Sequence, residues 1–314
     1  NPKPQTPNPK PQTPNPSLGE SRDNNSNREI MFRSTIRKVG TRGIGPLSRL
    51  FGSTKSAETA FIYGSKMMPH PEKLAKGGED ALYASRQVMA VADGVGGWTE
   101  MGIDPAKYSR KLCTNIQALT TANTQGYLKT PLKLLTESWQ NNKEVGSSTL
   151  VVVTLPPDEA KIYASYVGDS GYTILRKVDN KWTVVFTSKP QQRRFNFPLQ
   201  LGWGENGDHP NVALSSSHDV QHGDIVILGT DGLYDNLSAE QILAIVSQYL
   251  DKNPSSQDSN AIADAIVKEA FKRSLDTRYN SPFAKEALLS GFRFNGGKSD
   301  DISVTVGIVQ LISA

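Results

Sequence analysis

Short apolar runs recur through residues 58–314, and several of them stop on a carboxylate followed by glycine. Val88-Met89-Ala90-Val91-Ala92 leads into Asp93-Gly94, and Ile225-Val226-Ile227-Leu228-Gly229-Thr230 leads into Asp231-Gly232. Brief runs rich in β-branched residues and bounded by turn formers predict strands, here at 60–65, 81–85, 88–92, 148–155, 161–167, 172–177, 182–187, 224–228 and 302–311. Pro156-Pro157-Asp158 predicts a hairpin turn between two of them.

Helical periodicity occupies the spaces between. Asp104-Pro105 and Thr130-Pro131 each set a capping side chain before a proline suited to the first helical position. Leu112, Ile116 and Leu119 then stripe the first helix, as Leu132, Leu135 and Trp139 stripe the second. Ser238-Ala239-Glu240-Gln241 spells a capping box for a third helix through Leu250, with Leu237 placed as its hydrophobic staple. Ile262, Ala265, Ile266 and Phe271 mark a fourth. Helices in pairs between groups of hairpin-linked strands predict an α+β fold with antiparallel sheets, not a doubly wound parallel sheet.

Composition sharpens this. A chain of 314 residues with 37% hydrophobic content can bury a full core, and no apolar run approaches the roughly 20 residues of a spanning helix. Cys113, the single cysteine, excludes an internal disulfide and a cysteine-based zinc site, and its helical surroundings predict a buried structural thiol. Charge is segregated. Residues 1–57 carry ten Lys/Arg against Glu20, Asp23 and Glu29, which leaves 25 basic against 28 acidic side chains in 58–314. A mildly acidic body argues against nucleic acid as ligand.

Residues 1–30 repeat Asn1–Pro7 as Asn8–Pro14 and hold almost nothing apolar, so a disordered low-complexity tail is expected. Residues 31–57, from Met31-Phe32-Arg33 onward, contain six basic residues, seven Ser/Thr and no acid. That profile fits a transit peptide with processing near 49–54, addressed to mitochondria or a plastid, and competes with a plain basic tail on a cytoplasmic protein. Residues 58–314 are expected to form the folded domain.

Five acidic positions sit at strand ends or glycine turns: Glu79-Asp80, Asp93-Gly94, Gly168-Asp169, Asp231-Gly232 and Ser299-Asp300-Asp301. Each pair alone is an ordinary turn signal. Gathered in one cleft, their carboxylates would repel one another by several kcal/mol and demand cations. Oxygen-only donors select hard ions such as Mg²⁺ or Mn²⁺, and two such ions can acidify a shared water and clamp a phosphoryl group.

These blocks resemble the metal-dependent Ser/Thr protein phosphatases of type 2C. The matching strings, in the family's order, are Gly78-Glu79-Asp80-Ala81, Val91-Ala92-Asp93-Gly94-Val95-Gly96-Gly97-Trp98, Gly146-Ser147-Ser148-Thr149, Tyr166-Val167-Gly168-Asp169-Ser170-Gly171, Gly229-Thr230-Asp231-Gly232-Leu233-Tyr234-Asp235 and Lys298-Ser299-Asp300-Asp301-Ile302-Ser303-Val304. Met67-Met68-Pro69-His70-Pro71, Gly94 to Trp98 and Gln192 to Leu201 are similar to its mitochondrial branch, linked to coenzyme Q biosynthesis and matrix protein import, and to plant relatives.

The resemblance implies a four-layer αββα sandwich of two antiparallel sheets flanked by helix pairs, acting as a monomer on phosphoserine and phosphothreonine in phosphoproteins through direct attack of a metal-bridging water. Asp93 would bridge two ions, the Gly94 carbonyl would bind the second, and Asp231 and Asp300 would complete the first. Either Glu79 or Asp80 would serve the second ion, and Asp169 with Asp231 would hold a weaker third. An arginine that many relatives use for the substrate phosphate aligns with Ala75, between Lys73 and Lys76; Lys76 is expected to assist instead. A histidine that follows Asp-Gly in some relatives is Val95 here, so no side-chain acid is expected there. The alternatives are a pseudophosphatase that only binds phosphoproteins and a hydrolase of small phosphate esters.

Three other candidates carry blander expectations. His218 and His222 lack a third ligand and predict a turn with exposed histidines, not a zinc site. Trp98 either lines a substrate groove or packs, and Arg193-Arg194 predict a solvated loop rather than a phosphoprotein contact.

Overall fold

The computed structural model describes residues 58–202, 204, 207–253 and 257–312. The expected tail at 1–30 and the transit-like segment at 31–57 lie outside the described residues. The chain lays down β1 (Glu58–Met68), β2 (Asp80–Ala84), β3 (Val88–Asp93), α1 (Pro105–Asn123), α2 (Pro131–Gln140), β4 (Ser147–Ser148), β5 (Leu150–Thr154), β6 (Lys161–Val167), β7 (Gly171–Val178) and β8 (Lys181–Thr187). There follow β9 (Gln192–Arg194), β10 (Phe197–Pro198), β11 (Leu201–Gly202), β12 (Leu214–Asp219), β13 (Ile225–Gly229), α3 (Asp231–Tyr234), α4 (Ala239–Lys252), α5 (Ser259–Ser274), α6 (Pro282–Leu289) and β14 (Ile302–Ile312).

Two five-stranded sheets result, ordered β1-β14-β13-β7-β8 and β12-β6-β5-β3-β2, with every pairing antiparallel. Alternation along β3 shows why its run is apolar throughout. Met89 and Val91 face the layer between the sheets, among Val151, Val226 and Leu228, while Val88, Ala90 and Ala92 face Leu112, Ile116 and Leu135 of α1 and α2. On the other side Ile242, Val246, Ile262 and Ile266 of α4 and α5 cover Ile227, Val304 and Val306. A strand buried on both faces has no polar side to show. Each fully buried Val or Leu contributes about 1.5–3 kcal/mol relative to exposure, so the three apolar layers carry the fold. Cys113 is buried among the α1 contacts, as a structural thiol should be.

Helix starts follow their capping chemistry. The Ala106 N–H donates to Asp104 at 3.1 Å, and in the capping box the Gln241 N–H donates to Ser238 Oγ at 3.4 Å while the Ser238 N–H donates to Gln241 Oε1 at 2.9 Å. Thr130 differs: its side chain makes no cap bond, leaving Pro131 alone to start α2. α6 begins with the same signal at Ser281-Pro282, where the Ala284 N–H donates to Ser281 Oγ at 3.0 Å.

Two expectations are corrected. The strand expected over 148–155 is broken at Thr149, whose N–H donates to the Asp93 carbonyl at 3.0 Å, while Ser147 and Ser148 pair with β11. The turn expected at His218 is instead β12, an edge strand beside β6. There His218 Nε2 lies 2.9 Å from the Tyr172 hydroxyl and its ring 4.2 Å from that of Phe186, while His222 Nδ1 separately accepts from the Leu311 N–H at 3.1 Å.

Candidate functional site

Antiparallel neighbours alternate direction, so one end of the sandwich collects strand starts and strand ends in turn. At that end stand the end of β1, the starts of β14 and β7 and the end of β13 in one sheet, and the end of β6, the starts of β5 and β2 and the end of β3 in the other. The expected acids occupy these termini. Asp80 opens β2 directly opposite Asp93, which closes β3. Asp231 follows β13, Asp300 precedes β14, and Asp169 lies between β6 and β7.

Asp93 is fixed through its backbone: its N–H donates to Thr149 Oγ1 at 3.2 Å, and Thr149 Oγ1 lies 2.6 Å from Ser170 Oγ. Gly94 follows where a Cβ would stand 2.6 Å from the Glu79 carbonyl and 2.8 Å from that of Pro105, so only glycine fits. Asp80 is buried, and the Thr230 hydroxyl donates to its Oδ2 at 2.9 Å, lacing the two sheets together.

Charge in this cluster is unbalanced. Oδ1 of Asp80 and Oδ1 of Asp231 are buried without a hydrogen-bond donor. Burial, then the charges of Asp231, Asp80 and Asp300, hold the Asp93 carboxyl well above the usual carboxylate range. Burial, then Asp301, does the same to Asp80. For Asp231 burial acts upward too, but Lys298 and a hydrogen bond shared with Asp93 bring it below its ordinary value. Two facing acceptors are satisfied only by a shared proton or a cation. An all-oxygen donor set with orphaned buried carboxylate oxygens therefore fits hard divalent ions.

Two ammonium groups stand among the acids. Lys298 Nζ lies 2.5 Å from Asp231, 2.6 Å from Asp235 and 3.2 Å from Asp300. Lys73 Nζ lies 2.6 Å from Glu79, 3.2 Å from Asp301 and 3.9 Å from Asp300. Glu79 is thus paired, whereas Asp80 keeps a free oxygen. Among the described residues no three His, Cys, Asp or Glu side chains form a ready-made cage.

Asp301 holds the loop together: its carboxylate accepts from the N–H groups of His70 at 2.7 Å and Glu79 at 2.8 Å. Lys76 ends a short 3-10 helix, Pro71–Lys76, and is exposed beside a cleft lined by Lys73, Glu79, Thr99 and Asp104. Asp169 accepts from Gln192 at 3.2 Å; burial, then Asp231, pushes it up to about 7. Burial also leads in pushing Asp235 up to about 8. Lys298, Asp235, Asp301 and Thr149 stand inside or beside the matching strings, yet sequence reasoning assigned them no role; a lysine two residues before an Asp-Asp pair was the available signal. Trp98 donates to Ser147 Oγ at 2.6 Å at the β3 end. Arg193 pairs with Asp208, and Arg194 lies over the Phe197 ring.

Kinship agrees with this geometry. The family described as stage II sporulation protein E matches residues 84–279. Probable protein phosphatase 2C 80 of Arabidopsis thaliana is 37% identical over 82% of this chain, which spans only 60% of that relative's length. The protein phosphatase PTC7 homolog of Danio rerio is 36% identical over 74% of this chain and 81% of its own. Among solved structures, the photosystem II phosphatase PBCP superposes with a TM-score of 0.72 at 29% identity, covering 80% of this chain and all of that one. Relatives of this identity and a solved structure of the same fold lead to one conclusion: the chain belongs to the type 2C family of protein phosphatases.

Proposed function

We propose that this chain is a Mg²⁺- or Mn²⁺-dependent phosphatase that hydrolyses phosphoserine and phosphothreonine in proteins by direct attack of water. The observation that carries the reading is the pair of buried, donorless oxygens on Asp80 and Asp231, with the Asp93 carboxyl facing Asp231. Asp93, Asp80, Asp231, Asp300 and the Gly94 carbonyl would hold two ions, Glu79 acting at one remove because Lys73 holds its carboxylate. Asp169 with Asp231 would hold a weaker third. When bound, such ions supply an acidified water and offset charge on the phosphoryl oxygens. Lys76, exposed at the cleft beside Glu79, orients the substrate phosphate. Val95 carries no acidic proton, so the side chain at that position does not protonate the leaving oxygen, and metal-bound water would supply the proton.

The basic, acid-free composition of 31–57 supports delivery to the mitochondrial matrix, or to a plastid, and the folded part is read as a monomer. The test is Mn²⁺-dependent hydrolysis of an aryl phosphate by the full chain, with chelator and Asp93→Asn as controls. Activity that survives either control would overturn the mechanism, as would solvent ¹⁸O failing to enter the released phosphate.

A further inference from the structure

Beside the carboxylates lies a cleft of about 340 Å³ that shares Asp169 and Asp235 with them. Phe195 and Phe283 line it, and two further rings, Phe292 and Phe294, pack against these from beyond the cleft lining. Phe195 lies in the β9–β10 turn, Phe283 in α6, and Phe292 and Phe294 in the loop that leads to Lys298. The rings form a ladder: Phe283 is 5.0 Å from Phe195 and 4.8 Å from Phe294, and Phe195 stacks on Phe292 at 5.2 Å. Lys298 Nζ, bonded to Asp231 and Asp235, stands 5.2 Å from the Phe283 centroid, so the ladder starts at the charged site and runs outward.

Its outer rungs are open to solvent. Phe292 is 51% and Phe294 37% exposed, while Phe283 is 8% exposed and anchors them. Contiguous exposed aromatics at a cleft mark a contact surface, and rings already stacked lose little freedom when a ligand arrives. Glu286 lines the same cleft, so an acidic ligand side chain meets like charge there.

We propose that this ladder is a specificity subsite that receives a bulky apolar side chain next to the phosphorylated serine or threonine of the substrate protein, and rejects an acidic one. The inference rests on the phosphatase reading. A phosphate held at the carboxylates would set the adjoining substrate residues beside the cleft that Asp169 and Asp235 share with Phe283 and Phe195.

The test uses the full chain with Mn²⁺ and phosphothreonine peptides that carry leucine or aspartate at successive positions on either side of the phosphoresidue. At one position the leucine peptide should win by about tenfold in kcat/KM, the scale at which hydrophobic pockets discriminate. Phe292→Asp, at a half-exposed position, and Phe195→Ala should bring that ratio close to one. Equal rates for the two peptides at every position, or an undiminished ratio in both variants, would overturn the subsite. Binding of the same peptides to Asp93→Asn, read by fluorescence anisotropy, separates the two readings. A leucine preference in binding without any turnover by the native chain would sink the phosphatase reading and keep the subsite. Equal binding would sink the subsite alone.

Discussion

Asp80 and Asp93 stand directly opposite each other on β2 and β3, two carboxylates in one ladder pair at the same end of the sandwich. Like charges opposed across strands are destabilising, and here one of the two is sealed from water with an oxygen left unpaired. The proposed ions would relieve that repulsion.

Metal should therefore stabilise the protein measurably. At an ion concentration about 100 times its dissociation constant the gain is ~2.7 kcal/mol, a rise of several degrees in Tm for a domain of this size. Differential scanning fluorimetry with and without Mn²⁺ reads it directly. Asp93→Asn should abolish most of the rise while the chelated variant melts no lower than the chelated native chain, since a repelling charge has gone. A full Mn²⁺ shift in the variant would remove Asp93 from the ligand set.

Gly94→Ala would drive a methyl to within 2.6 Å and 2.8 Å of two backbone carbonyls that cannot rotate away. Overpacking of this kind costs about 1–3 kcal/mol. Gly97→Ala, where a Cβ meets nothing within 4 Å, is the matched control. Urea midpoints should fall for the first and stay for the second; two unchanged midpoints would mean that the β2–β3 end is looser than described.

Neighbouring lysines should separate by phenotype. Lys73→Met strips partners from Glu79 and Asp301 and should cost about 1.5–3 kcal/mol of stability, the range for hydrogen bonds to charged groups. Lys76→Ala should leave the melting point alone and raise the phosphopeptide KM roughly fivefold, the ~1 kcal/mol of an exposed ion pair. An unchanged KM would leave Lys76 without a part in binding.

Acid should weaken the edge of the second sheet. Burial holds the His218 imidazole below its ordinary 6.5, against the opposing pull of Asp219. The unfolded chain then binds the proton more readily, so this stability is complete above about pH 6.5 and drains away as pH falls through that value toward the folded pKa. His218→Gln should flatten the fall in urea midpoint between pH 6.5 and 5 relative to the native chain. An equally steep fall would assign the acid sensitivity elsewhere.

Legibility followed burial. β3, β5 and β13 were readable because both of their faces are covered and their runs are wholly apolar. β12, Leu-Ser-Ser-Ser-His-Asp, was not, because an edge strand with an exposed face carries no such run. Acids at strand ends announced themselves through the adjacent glycines, a local signal. The partners of those acids did not: Lys298 meets Asp231 across 67 residues and Asp301 meets the Glu79 N–H across 222, relations that only the closed sandwich creates. α6 was missed although Ser281-Pro282 carries the same start signal as Asp104-Pro105.

The bond from Thr230 to Asp80 spans the two sheets and 150 residues of chain. A partly folded molecule with one layer formed owns Asp80 and Asp93, or Asp231 and Asp300, and never the whole set. On the proposed ligand set, the capacity to retain an ion would exist only once the layers have stacked, so bound metal would report a closed sandwich.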